Sequence, residues 1–364
     1  MASVKKRPHG KWRARYRDAS GKEHSRHFAR KVDAQAWLDG VTTAVATGTY
    51  VDPKDARKTV ASAAEVWAAH PEWSASTAAR MRSILDVHVL PRWGAVPLNR
   101  VTLEDAQKWV NELAASGLAG GTVRKIAGVF TGIVSLGLKV SPLTDLRLPR
   151  QRLVPRKYLT ALEVEALAEA CDEWGDVVHF LAYTGLRWGE MAALRVGRVN
   201  MLKRRVLIEE SVTEVNGTLT WSAPKDHQRR AVPFPAFLTN DLAARVADKG
   251  SGDLVFTTGQ GTPLRVRNAR RGWFDLAAAS CGLEGLTPHE LRHTAASLAV
   301  SNGANVLALQ RMLGHEKAST TLDVYSDLFD EDLDAVAGAL DSARERARAD
   351  YLRTGEPVSF GRAQ

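Results

Sequence analysis

Tyr325 follows His315 by ten positions in the run Leu313-Gly314-His315-Glu316-Lys317-Ala318-Ser319-Thr320-Thr321-Leu322-Asp323-Val324-Tyr325. Upstream stand His289-Glu290-Leu291-Arg292-His293 and Thr184-Gly185-Leu186-Arg187-Trp188-Gly189-Glu190. A tyrosine in such company suits attack on a phosphodiester. With a pKa of about 10, a phenol holds only about a thousandth of its population as phenolate at neutral pH. It therefore needs cations that stabilise the transition state at phosphorus, and groups that move protons. Arg187, Arg292, His289, His315 and Lys225 could supply both.

The local sequence says how such side chains would be held. Thr287-Pro288-His289-Glu290 reads as an N-cap followed by the first three helical residues, with Glu290 closing a capping box. The free N–H groups of that helix start form an anion site, and His289 and Arg292, three apart, lie on one face of it. The same residues satisfy the zinc pattern H-E-x-x-H. That match reads as chance, because Arg292 would put a cation beside the metal, Ala299 stands where a third histidine belongs, and Glu290 already serves as a cap. No metal is expected. Arg187 comes just after a glycine turn, and Glu190, one helical turn on, can orient its guanidinium. Lys225 sits in the polar loop Ala223-Pro224-Lys225-Asp226-His227-Gln228-Arg229-Arg230 between predicted strands, with Lys203 nearby.

These segments need a frame, and 364 residues with 45% hydrophobic content are enough for two or three domains. In residues 1–54, Trp12, Ala14 and Tyr16 alternate with Arg13, Arg15 and Arg17, a period of two that sets a small apolar face against a cationic one. A turn at Asp18-Ala19-Ser20-Gly21, a second strand over 22–28 and a helix with Ala34, Leu38, Val41 and Val45 on one face complete a minimal domain. The three arginines have no acid between them on their strand, so the face reads as a DNA contact. Residues 49–58 read as a linker. Candidate helices over 60–69, 76–87, 103–115 and 122–138 form a compact bundle in 58–149, broken at 90–94, 117–121 and 141–142.

Residues 147–157 carry Arg147, Arg150, Arg152, Arg156 and Lys157 with two prolines and no acid. Repulsion and proline keep such a segment extended, either along a nucleic-acid backbone or as a solvated hinge. Thr160 with Glu163 opens a third, mainly helical domain over 158–341, interrupted by a small antiparallel sheet over 205–233 around the turn Asn216-Gly217. A tail, 342–364, follows. The overall expectation is a multidomain, mainly α protein with small antiparallel β-sheets.

Net charge is +9, and residues 1–50 hold eleven Lys/Arg against four acids, so the excess that favours a polyanion sits at one end. No apolar stretch reaches a membrane span and the amino terminus lacks a signal-peptide core, so a cytoplasmic, nucleoid-associated protein of a bacterial host is expected, with no membrane partner. Cys171 and Cys281 form no ligand pair and read as buried thiols.

Taken in order, Thr184-Gly185-Leu186-Arg187 with Glu190, Lys225 in its hairpin loop, His289-x-Leu291-Arg292-His293-Thr294, Leu313-Gly314-His315 and Tyr325 resemble the tyrosine recombinases, specifically phage-type integrases with an added amino-terminal domain. The resemblance spans about 59–341. It implies that Arg187 and Arg292 clamp the phosphate and that Tyr325 is the nucleophile. Lys225 would protonate the leaving 5′ oxygen, His289 assist proton transfer, and His315 hydrogen-bond the scissile phosphate. It further implies an arm-binding domain in the first fifty residues, a core-binding bundle that grips duplex DNA, and a catalytic domain. The active form would be a homotetramer on two DNA sites, passing through a 3′-phosphotyrosine and a Holliday junction with no cofactor. A host DNA-bending factor and an excision factor would be further partners.

An Xer-like chromosome or plasmid resolvase is the near alternative. A type IB topoisomerase uses similar chemistry, but the separate basic amino-terminal domain argues against it. The intact Arg, Lys, His, Arg, His, Tyr set argues against a regulator that kept only the fold. Residues 331–352 place Leu333, Val336, Leu340, Ala343 and Ala347 on one stripe, which would dock on a neighbouring subunit or on the chain's own domain.

Overall fold

A computed structural model describes residues 2–18, 21–46, 58–69, 72–138, 140–151, 157–224, 229–316, 319 and 332–354. The chain divides into two compact units, Met1–Val154 and Pro155–Gln364. It is mostly helical with small antiparallel sheets.

The first unit opens with an antiparallel sheet of β1 (Ser3–Lys6), β2 (Trp12–Arg17) and β3 (Glu23–Phe28), covered by α1 (Lys31–Ala46). The alternation along β2 decides its faces. Ala14 and Tyr16 are buried with Ala34 and Leu38 of α1, and the Tyr16 ring meets Trp37 edge-on at 5.5 Å. The opposite face carries Arg13, Arg15 and Arg17, yet it is not free of acid. Cross-strand pairing sets Glu23 opposite Arg17, and its carboxylate lies 3.2, 3.6 and 4.0 Å from the guanidinium nitrogens of Arg13, Arg15 and Arg17. One charge thus eases the repulsion among three, a neighbour that a single strand's sequence does not reveal.

A helical bundle follows: α2 (Val60–Ala68), α3 (Ala75–Ile84), α4 (Leu90–Trp93), α5 (Leu103–Ala115) and α6 (Gly120–Gly137). Thr59, Ser74 and Thr102 cap α2, α3 and α5, each accepting an amide three residues on. Trp93, Trp109 and Phe130 fill the centre, with Trp93 stacked on Phe130 at 4.7 Å. The break expected at 90–94 comes only at its end. A π-turn over Leu85–Val89 joins α3 to α4, and Leu90 donates to the Leu85 carbonyl five residues back. The ladder is already interrupted there, so Pro91, in the first turn of α4, is tolerated. The first part of the expected linker is pinned to this bundle: Gln107 exchanges side-chain hydrogen bonds with the Arg147 amide and carbonyl, and Arg124 Nε donates to the Pro149 carbonyl.

The second unit begins at α7 (Ala161–Ala170), where Thr160 and Glu163 form the predicted capping box. Then come α8 (Gly175–Thr184), α9 (Trp188–Ala192), β4 (Val199–Asn200), β5 (Arg205–Ile208), β6 (Ser211–Val215), β7 (Thr218–Ser222) and β8 (Arg230–Pro233). The strands form two sheets where one was expected. β5 pairs with β4 and β8, while β6 and β7 make a separate hairpin over Asn216-Gly217, both at positive φ. β6 packs instead on α9, so closely that a Cβ on Gly189 would stand 2.6 Å from the Val212 carbonyl.

The remaining helices are α10 (Leu238–Val246), α11 (Val266–Ala269), α12 (Asp275–Ser280), α13 (Glu290–Ser301), α14 (Val306–Leu313) and α15 (Asp332–Thr354). Phe180, Leu181, Met191, Phe256, Phe274 and Leu291 anchor the core, and α13 packs on α8. Cys171 is buried, with its thiol pushed up to about 12 by that burial and by Cys281, whereas Cys281 is only half-buried. All side chains of 340–353 in α15 are exposed. Among the described residues no helix is long and apolar enough to cross a membrane.

Candidate active site

α8 stops at Gly185 because the chain turns there with φ +64°, and a Cβ would come within 2.7 Å of Leu313 Cδ2 and 3.3 Å of Ala295 Cβ. That turn delivers Arg187 to the start of α9. Glu190, 1% exposed, takes the Arg187 amide at 3.0 Å and its Nη1 at 2.9 Å. The expected orienting contact is present, and the Arg187 side chain stays a quarter exposed. Burial disfavours charge on Glu190, but the hydrogen bonds and charge of Arg230, together with Arg187, outweigh it and hold the carboxyl below its ordinary pKa.

Arg292 lies in the first turn of α13 and is 3% exposed. Its Nη1 donates to the Gly185 carbonyl at 2.6 Å and its Nη2 to the Leu313 carbonyl at 2.7 Å. One guanidinium therefore ties together the turns that carry Arg187 and His315. The helix begins later than the sequence suggested. His289 is the cap residue, and Thr287 and Pro288 precede the helix in a turn. Glu290 nonetheless reaches back, accepting the Thr287 amide and hydroxyl, the latter at 2.6 Å. The turn wins because the Glu290 amide bonds the Thr287 carbonyl at 2.9 Å, closing a tighter loop.

The His289 ring stands edge-on to His293 at 5.1 Å. Partial desolvation, then the charges of Arg292 and Arg187, push its pKa below the ordinary imidazole value, with Glu290 pulling weakly the other way. His289 as a whole stays exposed to solvent, which limits how far desolvation acts and leaves the two guanidinium charges acting in the same direction. Lowering the pKa further favours the neutral, proton-accepting form, already the major one for an imidazole at neutral pH. Glu290 is occupied by Thr287, and among the described residues no group of three His, Cys, Asp or Glu could hold a metal ion.

α14 ends at Gly314, φ +69°, and His315 follows half-buried, its amide on the Gln310 carbonyl at 3.2 Å and its own carbonyl accepting from Gln310 Nε2 at 3.1 Å. The structure thus brings Arg187, Glu190, His289, Arg292 and the His315 turn into one neighbourhood. Lys225, Tyr325, Arg152 and Arg156 lie outside the described residues. Arg150 is exposed at the end of the first unit, and Lys157 Nζ donates to the Glu284 carbonyl at 2.8 Å in the second.

Sequence reasoning missed Arg230. Its side chain, 8% exposed, forks onto Glu190. A signal existed: in β8 Arg230 shares the inward face of Val232, and a charge on a buried face requires a partner.

Three family profiles match the chain: "Phage integrase, N-terminal domain" over residues 2–47, "Phage integrase, N-terminal SAM-like domain" over 59–114 and "Phage integrase family" over 157–332. Tyrosine recombinase XerC of Mycobacterium bovis (strain BCG / Pasteur 1173P2) is 29% identical over 247 residues, which take in 62% of this chain and 78% of that protein. XerC of Mycobacterium sp. (strain KMS) is 29% identical over 243 residues, with the same coverage. Among solved structures, a Tn1549 transposon integrase in complex with transposon right end DNA aligns with a TM-score of 0.66 at 18% identity, covering 77% of this chain and 100% of that one. A lambda integrase tetramer bound to a Holliday junction aligns with a TM-score of 0.57 at 18% identity, covering 87% and 96%. The fold is shared with these integrases, and the three profiles fall in the order of the chain's own segments. The arginine-centred site and these matches make the chain a member of the tyrosine recombinase family, a phage-type integrase that acts on DNA by site-specific recombination.

Proposed function

We propose that this recombinase inserts a mobile element at a specific DNA site and excises it again, through a 3′-phosphotyrosine and a Holliday junction. Tyr325 attacks the phosphorus in line, and the bond to the 5′ oxygen breaks. Lys225 gives that oxygen its proton. Arg187 and Arg292 clamp the phosphate, His289 accepts the phenolic proton and His315 hydrogen-bonds the phosphate. The phosphoester energy stays in the protein link, so a partner 5′ hydroxyl can reverse the step without ATP. The observation that supports this most is geometric: Arg292, beside His289 at the start of α13, bonds the Gly185 and Leu313 carbonyls and so gathers the turns that carry Arg187 and His315.

The arrangement of an arm-binding domain in 1–54, a core-binding bundle in 58–149, a basic linker in 150–157 and a catalytic domain in 158–341 belongs to the same reading. So do a homotetramer on two DNA sites, DNA contacts by Arg13, Arg15, Arg17, Arg150, Arg152, Arg156 and Lys157, and accessory bending and excision factors. The XerC likeness favours a resolvase instead; the phage-type match over residues 2–47 favours the integrase. Incubating the full chain with fragmented bacterial genomic DNA, trapping covalent adducts and sequencing the attached strand tests the proposal. A 3′-linked adduct at one recurrent sequence is expected from the native chain and none from Tyr325→Phe. An adduct from that variant would remove Tyr325 from the role.

A further inference from the structure

Arg230 has no part in that chemistry, yet it sits at the centre of the site. It opens β8, five residues after Lys225 in the sequence. Burying a guanidinium is costly unless its donors are used, and here they are. Nη1 and Nη2 fork onto Glu190 Oε1 and Oε2 at 3.0 and 2.7 Å, and Nε donates to the Met312 carbonyl at 3.1 Å. The group also lies against Gly314, where a Cβ would come within 2.8 Å of Nε and 2.9 Å of Cδ and Cζ. Glu190 accepts four hydrogen bonds on its two oxygens, two from Arg187 and two from Arg230, which fills a carboxylate.

A carboxylate beside a single arginine favours the two-pronged fork, which would use both ends of that guanidinium and cancel its charge. Arg230 occupies that fork. Arg187 is left with one side-chain bond to Glu190, through Nη1, and the pair of guanidinium groups retains one positive charge beyond the carboxylate. Arg187 is also the more exposed of the two, at 24% against 8%. We infer that Arg230 is a positioning residue that keeps Glu190 from capturing Arg187 and fixes the Gly314-His315 turn through Met312. Its action on phosphate passes through Arg187 and His315, so it rests on the proposed function.

The test measures single-turnover adduct formation and DNA retention by the full chain on a pool of nicked duplexes of random sequence. Arg230→Met is expected to slow adduct formation by about a hundredfold, the size of losing one positioned charge, while binding changes little. The double variant Arg230→Met, Glu190→Gln is expected to be about tenfold faster than Arg230→Met, because the capturing carboxylate has gone. A single variant at the native rate, or a double variant no faster than it, overturns the inference. If thermal melting shows that Arg230→Met does not fold, Arg230→Lys takes its place. That residue keeps the charge but cannot span Glu190 and Met312 together, so a slowed rate supports the assignment and a native rate overturns it. Absence of any adduct from the native chain would instead reject the proposed function.

Discussion

Arg187 and Arg292 are alike in the sequence but do different work in the structure. Arg292 is buried and holds the Gly185 and Leu313 carbonyls, so it is structural cement as well as a charge. Arg187 has a quarter of its side chain exposed and donates to Glu190 through Nη1. Removing Arg292 also leaves two buried carbonyls without their donor, at about 1–3 kcal/mol each. Arg292→Ala is therefore expected to lower both adduct formation and the melting temperature. Arg187→Ala should cut adduct formation by about two to three orders of magnitude with little change in melting or DNA retention. Equal losses of stability in the two variants would contradict this division.

At the scale of elements, the site is a set of helix ends. α8 stops at Gly185, α9 starts at Arg187, α13 starts after His289 and α14 stops at Gly314. Two of these ends need a glycine in the left-handed region. At Gly314 the open space on the Cα is filled by the Arg230 guanidinium. Gly314→Ala adds about 1–2 kcal/mol of backbone strain and drives a methyl into that group. The expected outcome is a measurable drop in melting temperature together with slower adduct formation, since the His315 turn and the Arg230 fork move together. Melting and cleavage both at native values would show that the turn is not coupled to the site.

For the whole molecule the governing quantity is charge and where it lies. The net +9 is weighted toward the first fifty residues, but Glu23 draws three arginines of that sheet toward itself. If phosphates meet this face, Glu23→Gln should tighten duplex binding and steepen its salt dependence, by about 0.9 in the logarithmic slope for each further phosphate neutralised. Fluorescence anisotropy over a salt series measures both. Unchanged affinity and slope would place the DNA-binding face elsewhere.

How much of this was legible in the sequence follows from the range of the interactions involved. Period-two alternation fixed the inner face of β2, and the Thr160, Glu163 box and the Asn216-Gly217 turn fixed their elements, because each depends on residues only a few positions apart. The same locality made Arg187 with Glu190 readable, and the order of the motifs pointed to recombinase chemistry. Contacts between distant segments could not be read in that way. The pairing of Glu23 with three arginines, the split of one expected sheet into two, and the fork of Arg230 on Glu190 forty residues away all depend on how the chain closes on itself. A buried charge takes whatever partner the packing brings to it, so the types of the active groups were set by sequence and their wiring by tertiary structure.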